Sequence, residues 1–352
     1  MKKSFFELLQ EYYPGPSEAE DFHSIFIANC VFNSFLSYTA IMLNVLTIHA
    51  IRKTSSLPKT LKTLLLSLAV SDVGVGLLVQ PFYTSLLVKW LQQDNAGCNT
   101  AKAFYIIAHL FFNSSFSNVV VVSVDRFLAI HLHLRYQELV THKRVVAVVI
   151  LIWVFSVFVS LLVICVPLDI YSFLMSVIGI LGLIVTAMIY IRIYLAVRRH
   201  KIQIQVQQVQ QVKQTGEIAK FSSNIRSSVG IFYVYLLFLV CYLPYLFSLV
   251  APQINGPSIV LKRFSLFSLT LICLNSSLNP VIYCWKMRHI RHVVINMLRN
   301  MSLFRSRAST WTLELNGHPL PWFSVIVAVK HILYITTTVD SFISGRRRLY
   351  LN

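Results

Sequence analysis

The sequence predicts an all-α membrane protein built as a seven-transmembrane helix bundle, on three observations. Hydrophobic residues make up 56% of the 352-residue chain and charged residues only 12%, about half the roughly 25% of soluble domains. Too few polar residues remain to clothe a soluble surface of this size, so lipid must be the solvent for much of the chain. Seven stretches are long enough to cross a bilayer, which takes about 20 mostly apolar residues. Between them the basic residues gather in short clusters.

The stretches are roughly 24–51, 61–89, 101–130, 145–166, 170–197, 227–250 and 264–285. Each reads as a helix, because a barrel would show alternating segments of about 10 residues instead. They divide the chain into an N-terminal tail, 1–23, a helical domain, 24–298, and a C-terminal tail, 299–352. Lys2 and Lys3 lead into acidic and polar residues through Asp21 with no apolar signal segment. The first helix is therefore expected to act as its own insertion signal. No repeat of 20–50 residues and no pair of related halves is visible.

A net charge of +18 raises the question of a nucleic-acid partner. The positions answer it. Arg52, Lys53, Lys59 and Lys62 follow the first helix; Arg135, Lys143 and Arg144 follow the third. Arg198, Arg199, Lys201, Lys213, Lys220 and Arg226 follow the fifth, and Lys286, Arg288 and Arg291 the seventh. The other side carries Glu7, Glu11, Glu18, Glu20 and Asp21 with few basic residues. This is the positive-inside pattern. It predicts an outer N-terminus, a cytoplasmic C-terminus and no nucleic acid.

The link between helices four and five, "VPLDIY", is too short to form a lid. In the long link after helix five, Ile202, Val206, Val209 and Val212 recur at helical spacing. Helix five then continues to about Gly216, the other reading being a glutamine-rich linker. The tail segment "LPWFSVIVAVKHILYITTTV" resembles a further span, but Lys330 and His331 sit at its centre. A central Lys costs roughly 2.5–3.5 kcal/mol on insertion, so an interfacial or loosely ordered tail is expected.

Thirteen acidic residues serve the whole chain, and the helices hold few of them. Asp72 lies some 15–17 Å into the second span, near the bilayer midplane. A carboxylate there marks a function by default. Its candidate partners are Asn44, Ser115, Asn275, Ser276 and Asn279. Together they can hold a sodium ion or a proton; a carboxylate satisfied by amides alone is the other reading. Pro244 in "VCYLPY" and Pro280 in "NSSLNPVIYCW" each remove a backbone donor and predict kinks. Asp125 and Arg126 end the third helix side by side. The guanidinium can fork onto the carboxylate at rest and turn to a cytoplasmic partner if helix six swings outward. An ordinary salt bridge at a helix end is the alternative.

These motifs, in this order, carry a family likeness. "LNVLT" with Asn44, "LAVSD" with Asp72, "SVDRFLAI" with Asp125 and Arg126, "LIWVF" with Trp153, "CYLP" with Pro244 and "LNPVIY" with Asn279, Pro280 and Tyr283 resemble the rhodopsin-like (class A) G-protein-coupled receptors. The likeness covers roughly residues 25–298. It implies that Asp72, Ser115, Asn275 and Asn279 form an allosteric sodium pocket and that no other cofactor is needed. It further implies that Arg126 meets a heterotrimeric G protein, with Tyr190 and Tyr283 joining it through water in the active state. "WKMRHIRHVVINMLRN" would be a short amphipathic eighth helix. Arrestin and a receptor kinase would be further partners, at the plasma membrane. Cys98 and Cys165 stand near the family's outer disulfide, but Cys98 is early and Cys165 ends helix four; a bridge and two thiols both stay open.

The departures set further expectations. Tyr242 stands where the family has Trp, Gly182 is nearest to a missing helix-five proline, and Asn224 replaces an acidic residue near the start of helix six. That last loss predicts a looser resting state with basal activity. The short outer link and the missing proline resemble the melanocortin and adenosine receptor branch. Ala108 replaces the aspartate of aminergic receptors, and Cys273 the lysine of opsins. His109, Phe111, Phe112, Tyr242, Tyr245 and Phe247 then suggest an aromatic pocket for a small molecule, lipid or peptide, with His109 either a ligand contact or a packing residue. An enzyme would need metal ligands or a nucleophile–base pair within the helices, and His131 and His133 have no carboxylate beside them. A transporter would favour repeated halves. A seven-helix protein that scaffolds or traffics without signalling is the remaining alternative.

Overall fold

The computed structural model describes residues 13–14, 18–55, 57–94, 97–132, 135–207, 215–287, 290–296 and 299, with the backbone alone at 19, 197 and 199–230. The tail beyond residue 299, the link residues 208–214, His133 and the Asn224 side chain lie outside that description. Seven helices long and apolar enough to cross a membrane account for most of the described residues: α1 Ala19–Lys53, α2 Lys59–Leu91, α3 Cys98–His131, α4 His142–Cys165, α5 Leu168–Gln207, α6 Thr215–Asn255 and α7 Ile259–Lys286. A single helical turn, Tyr136–Leu139, joins α3 to α4. Residues 290–296 are helical too, with Ile290 and Val294 buried against the bundle.

Most helices run past the apolar stretches that predict them. Helix α1 starts at Ala19 because Glu20 and Asp21 occupy its first turn, where the helix dipole favours acids, and Arg52 and Lys53 occupy its last. Only Val166 and Pro167 separate α4 from α5, as short a link as expected. Helix α3 is the central pillar, packed on α2, α4, α5 and α6, and α7 closes the ring against α1. Its centre is buried along almost every turn, with Ser114, Ser115, Asn118, Ser123, Asp125 and Arg126 all shielded. The outer faces of α4 and α5 expose Ile150, Phe158, Ile164, Leu181 and Ile191, as a lipid solvent requires.

Polar side chains stitch α1 to α7. Asn33 donates to Thr270 Oγ1 at 3.0 Å, Thr39 to Ser277 Oγ at 3.2 Å, and Ser277 to the Leu36 carbonyl at 3.1 Å. Lipid gives helices no hydrophobic reason to associate, so such bonds and close packing hold them together.

Helix α2 is interrupted by a π turn, Val75–Val79, where the Gln80 N–H reaches the Val75 carbonyl five residues back. In that ladder the next donor, paired with Gly76, would be residue 81, which is a proline. The freed carbonyl is taken by Ser37 of α1, whose hydroxyl donates to Gly76 O at 2.8 Å. Gly76 permits the approach: a Cβ there would lie 2.9 Å from Ile41 and 3.1 Å from the Ser37 carbonyl.

Gly74 plays the same part towards α3. A Cβ on it would stand 2.0 Å from the Phe111 ring, which is itself held edge-on to Trp153 at 6.1 Å. Gly74→Ala should therefore lower the melting temperature of the purified protein, overpacking costing about 1–3 kcal/mol. Adding Phe111→Leu should recover part of that loss, since the two sites share one space. Strictly additive losses would refute the contact.

Candidate functional site

Three layers of polar and aromatic residues cross the interior. At the middle, Asp72 is fully buried. Ser115 of α3 donates to its Oδ1 at 3.2 Å and Asn279 of α7 to its Oδ2 at 2.9 Å. Asn44 does not join this carboxylate, contrary to expectation. Its amide donates to the Ser276 carbonyl at 2.8 Å, the acceptor that Pro280 leaves without its i−4 helical partner. The residue that re-pairs the kink is thus on α1, and not the neighbouring Asn279. Asn275 is buried with both amide atoms unpaired, as is Asn279 Oδ1. Oxygen donors in excess of their hydrogen bonds suit a hard cation.

The second layer lies at the end of α3 that carries the basic clusters. Arg126, 1% exposed, donates from Nε to Asp125 Oδ2 at 3.0 Å and again from Nη2. The other carboxylate oxygen accepts from Tyr136 at 2.6 Å, and Thr60 of α2 lies 3.1 Å from the Tyr136 hydroxyl. One phenol proton serves Asp125, so Thr60 supplies the second donor. Burial first, and then the Asp125 carboxylate, push Tyr136 up to about 12. It stays a donor at any working pH. Tyr136 and Thr60 were not evident from the sequence; a tyrosine eleven residues beyond Asp125 in a basic link was the only signal.

Neither Tyr190 nor Tyr283 hydrogen-bonds to Arg126, whose side chain is spent on Asp125. Tyr190 lies 3.0 Å from Ser123 Oγ and stacks on Tyr235 at 5.1 Å. The Tyr283 hydroxyl is buried with no partner. Between α6 and α7, Lys286 Nζ sits 4.1 Å over the Tyr233 ring and 3.5 Å over Trp285, a cation–π clasp.

The third layer is aromatic. Tyr242, less than one turn before the Pro244–Tyr245 step, stacks on Phe238 at 4.7 Å and donates to the Phe112 carbonyl at 3.1 Å. The phenol thus does what an indole in its place would do by bulk, and adds a hydrogen bond between α6 and α3. Gly182 lets Phe116 in beside it; a Cβ there would meet the Phe116 ring at 2.6 Å. His109 stacks on Tyr105 at 5.6 Å, meets the edge of Tyr171 at 5.1 Å and lies 3.3 Å from the Tyr245 hydroxyl. That geometry satisfies it as a packing residue. Phe112 meets Tyr245 edge-on at 5.9 Å. Two expected pocket residues point elsewhere: Phe247 is 56% exposed against Phe264 on the lipid side, and Phe111 is wedged between α2 and α4.

Of the two readings left open for Cys98 and Cys165, the structure has the thiols: no bridge is formed, and all six cysteines are free. Cys98 opens α3 half-buried, while Cys165 closes α4 with its side chain exposed. Among the described residues no group of three or more His, Cys, Asp or Glu side chains can hold a metal.

If Tyr136 and Thr60 act in series on Asp125, Tyr136→Phe should cost about 1–2 kcal/mol and Thr60→Val somewhat less. The double variant should melt no lower than Tyr136→Phe alone. Independent, additive shifts in thermal unfolding would show that Thr60 acts elsewhere.

Known proteins place this arrangement. The sequence is 25% identical over 348 residues to the adenosine receptor A2a of Equus caballus, covering 81% of this chain and 79% of that one. It is 24% identical over 341 residues to the A2a receptor of Homo sapiens, with the same coverage. Over 118 residues, 34% of each chain, it is 35% identical to the adenosine receptor A2b of Gallus gallus. The pattern of the 7 transmembrane receptor (rhodopsin family) matches residues 43–169 and 166–283, a receptor family and not one of enzymes. The seven spans, the Asp72 and Asp125–Arg126 motifs and that match together make this chain a member of the rhodopsin family of seven-transmembrane receptors.

Proposed function

We propose that an outer ligand, bound between the helices, activates a heterotrimeric G protein through outward movement of α6. The Asp125–Arg126 pair carries this reading. A buried guanidinium tied to its neighbouring carboxylate is a costly arrangement, and it becomes useful if the pair opens towards a partner. The basic clusters at that end favour its facing the cytoplasm, with the N-terminus outside. Binding need only favour the α6-out state over the resting state to shift the population. Two contacts would yield in that shift: the Tyr242 bond to the Phe112 carbonyl and the Lys286 clasp on Tyr233. Arrestin and a receptor kinase would compete for the same face.

The Asp72 layer would hold sodium through Asp72, Ser115 and the spare oxygens of Asn275 and Asn279. The ion would supply positive charge beside a carboxylate buried in hydrocarbon. For the ligand, relatives named adenosine receptors make nucleosides the first class to test, ahead of lipids and peptides.

Cells expressing the chain beside Arg126→Ala, matched for surface level, should show a basal second-messenger signal that vanishes in the variant. Tyr242→Phe, which keeps the ring and removes the bond, should raise that signal. Equal signals in all three would favour a scaffolding or trafficking protein of the same fold. For sodium, the melting temperature of the purified protein should rise in sodium chloride over potassium chloride, and Asp72→Asn should abolish the difference. A rise that survives the substitution would remove the ion from this layer.

A further inference from the structure

Gln80 has no part in the activation machinery described above, yet it is among the most shielded polar residues of the protein. Its side chain is 0% exposed, and neither the amide nitrogen nor the amide oxygen has a hydrogen-bond partner. Native interiors keep few such groups, because an unpaired buried amide forfeits its bonds to water. One turn further on, Thr84 Oγ1 is also buried and unpaired. Residues four apart on a helix share a face, so the two form one polar patch.

The π turn aims that patch. Eight residues separate Gln80 from Asp72, and in a regular α-helix the two would point about 80° apart; the extra residue of a π turn reduces this to about 20°. Gln80 therefore faces the same interior as Asp72, roughly 12 Å further along α2. The π segment packs on α1, α3 and α7. Beside it, Tyr83 stacks on Phe104 at 5.8 Å and its hydroxyl donates to the Leu266 carbonyl at 3.5 Å. That phenol is already spoken for. The buried charges among the described residues are Asp72, Asp125, Arg126 and Lys262. Each has its own partners, Lys262 pairing with Glu18 at 2.7 Å. No charge is left over to receive an ionic group here.

We propose that Gln80, with Thr84, recognises a neutral ligand group that carries a hydrogen-bond acceptor beside a donor. A carboxamide or the amine-bearing edge of an aminopurine has this form. The carboxamide of glutamine offers one acceptor and two donors in a plane, and such side chains pair bidentately with the edge of adenine. The residue names the chemistry of the ligand that the receptor reading requires between its helices, and it rests on that reading.

The test uses the full chain purified into lipid nanodiscs, with thermal unfolding as the readout. The probes are adenine against 6-methylpurine and benzamide against acetophenone, each pair differing in the presence of the amine. The wild type should be stabilised by adenine or benzamide and not by the analogue that lacks the donor. Gln80→Leu should melt at the same or a higher temperature without probe, since it removes an unpaired amide. It should lose affinity for the stabilising probe by about tenfold to a hundredfold. Three results would each overturn the proposal: equal shifts by both members of each pair, a probe effect that survives Gln80→Leu, or a probe-free melting temperature lowered by the substitution. The last would mean that the amide is tied structurally, through an ordered water. Because no G protein enters the assay, a failure of Arg126→Ala to change signalling would leave this binding result standing.

Discussion

Hydrocarbon offers no hydrogen bond to a backbone group, and every carbonyl freed inside it must find another partner. The bundle is organised around that constraint. Pro280 orphans the Ser276 carbonyl, and Asn44 takes it; Pro81 orphans the Gly76 carbonyl at the π turn, and Ser37 takes it. Both rescuers are on α1. A helix with no role in the proposed movement thereby satisfies the backbone of α2 at its π turn and of α7 at Pro280. Next to those two points, Asn279 reaches Asp72 and the π turn carries Gln80 inward. Helix α6 also contains prolines, at 244 and 252; its polar ties to α3 and α7 run through side chains, Tyr242 to the Phe112 carbonyl, Tyr245 beside His109 and Ser248 to Ser268.

Much of the fold could be read from the sequence because length and hydropathy decide it. All seven spans were visible, and the structure extends most of them. What could not be read was where a helix departs from α geometry. Gly74, Gly76 and Pro81 announce a disturbance in α2 but not its kind, which depends on Ser37 approaching from another helix. The same limit explains Asn44: its presence in a span was plain, but its partner was set by how α7 packs on α1.

The site divides in a similar way. Asp72 with Ser115 and Asn279, and Asp125 with Arg126, were legible because charge in an oily run has few explanations. Tyr136 and Thr60 were not, since a tyrosine in a polar link and a threonine at a helix start are ordinary. Phe247 misled because an aromatic on a spanning helix looks alike whether it faces the interior or the lipid. The cysteines were undecided in the sequence. Only the helix ends show Cys165 exposed at the close of α4 and Cys98 half-buried at the start of α3.

The two-residue link between α4 and α5 also bears on how the protein is made. Helices joined by Val166 and Pro167 alone leave the ribosome with no stretch between them that could remain on one side while the other waits. They must enter the membrane as one hairpin. The orientation of α5 is then inherited from α4, and the many apolar residues that both expose to lipid are delivered to the bilayer in a single event.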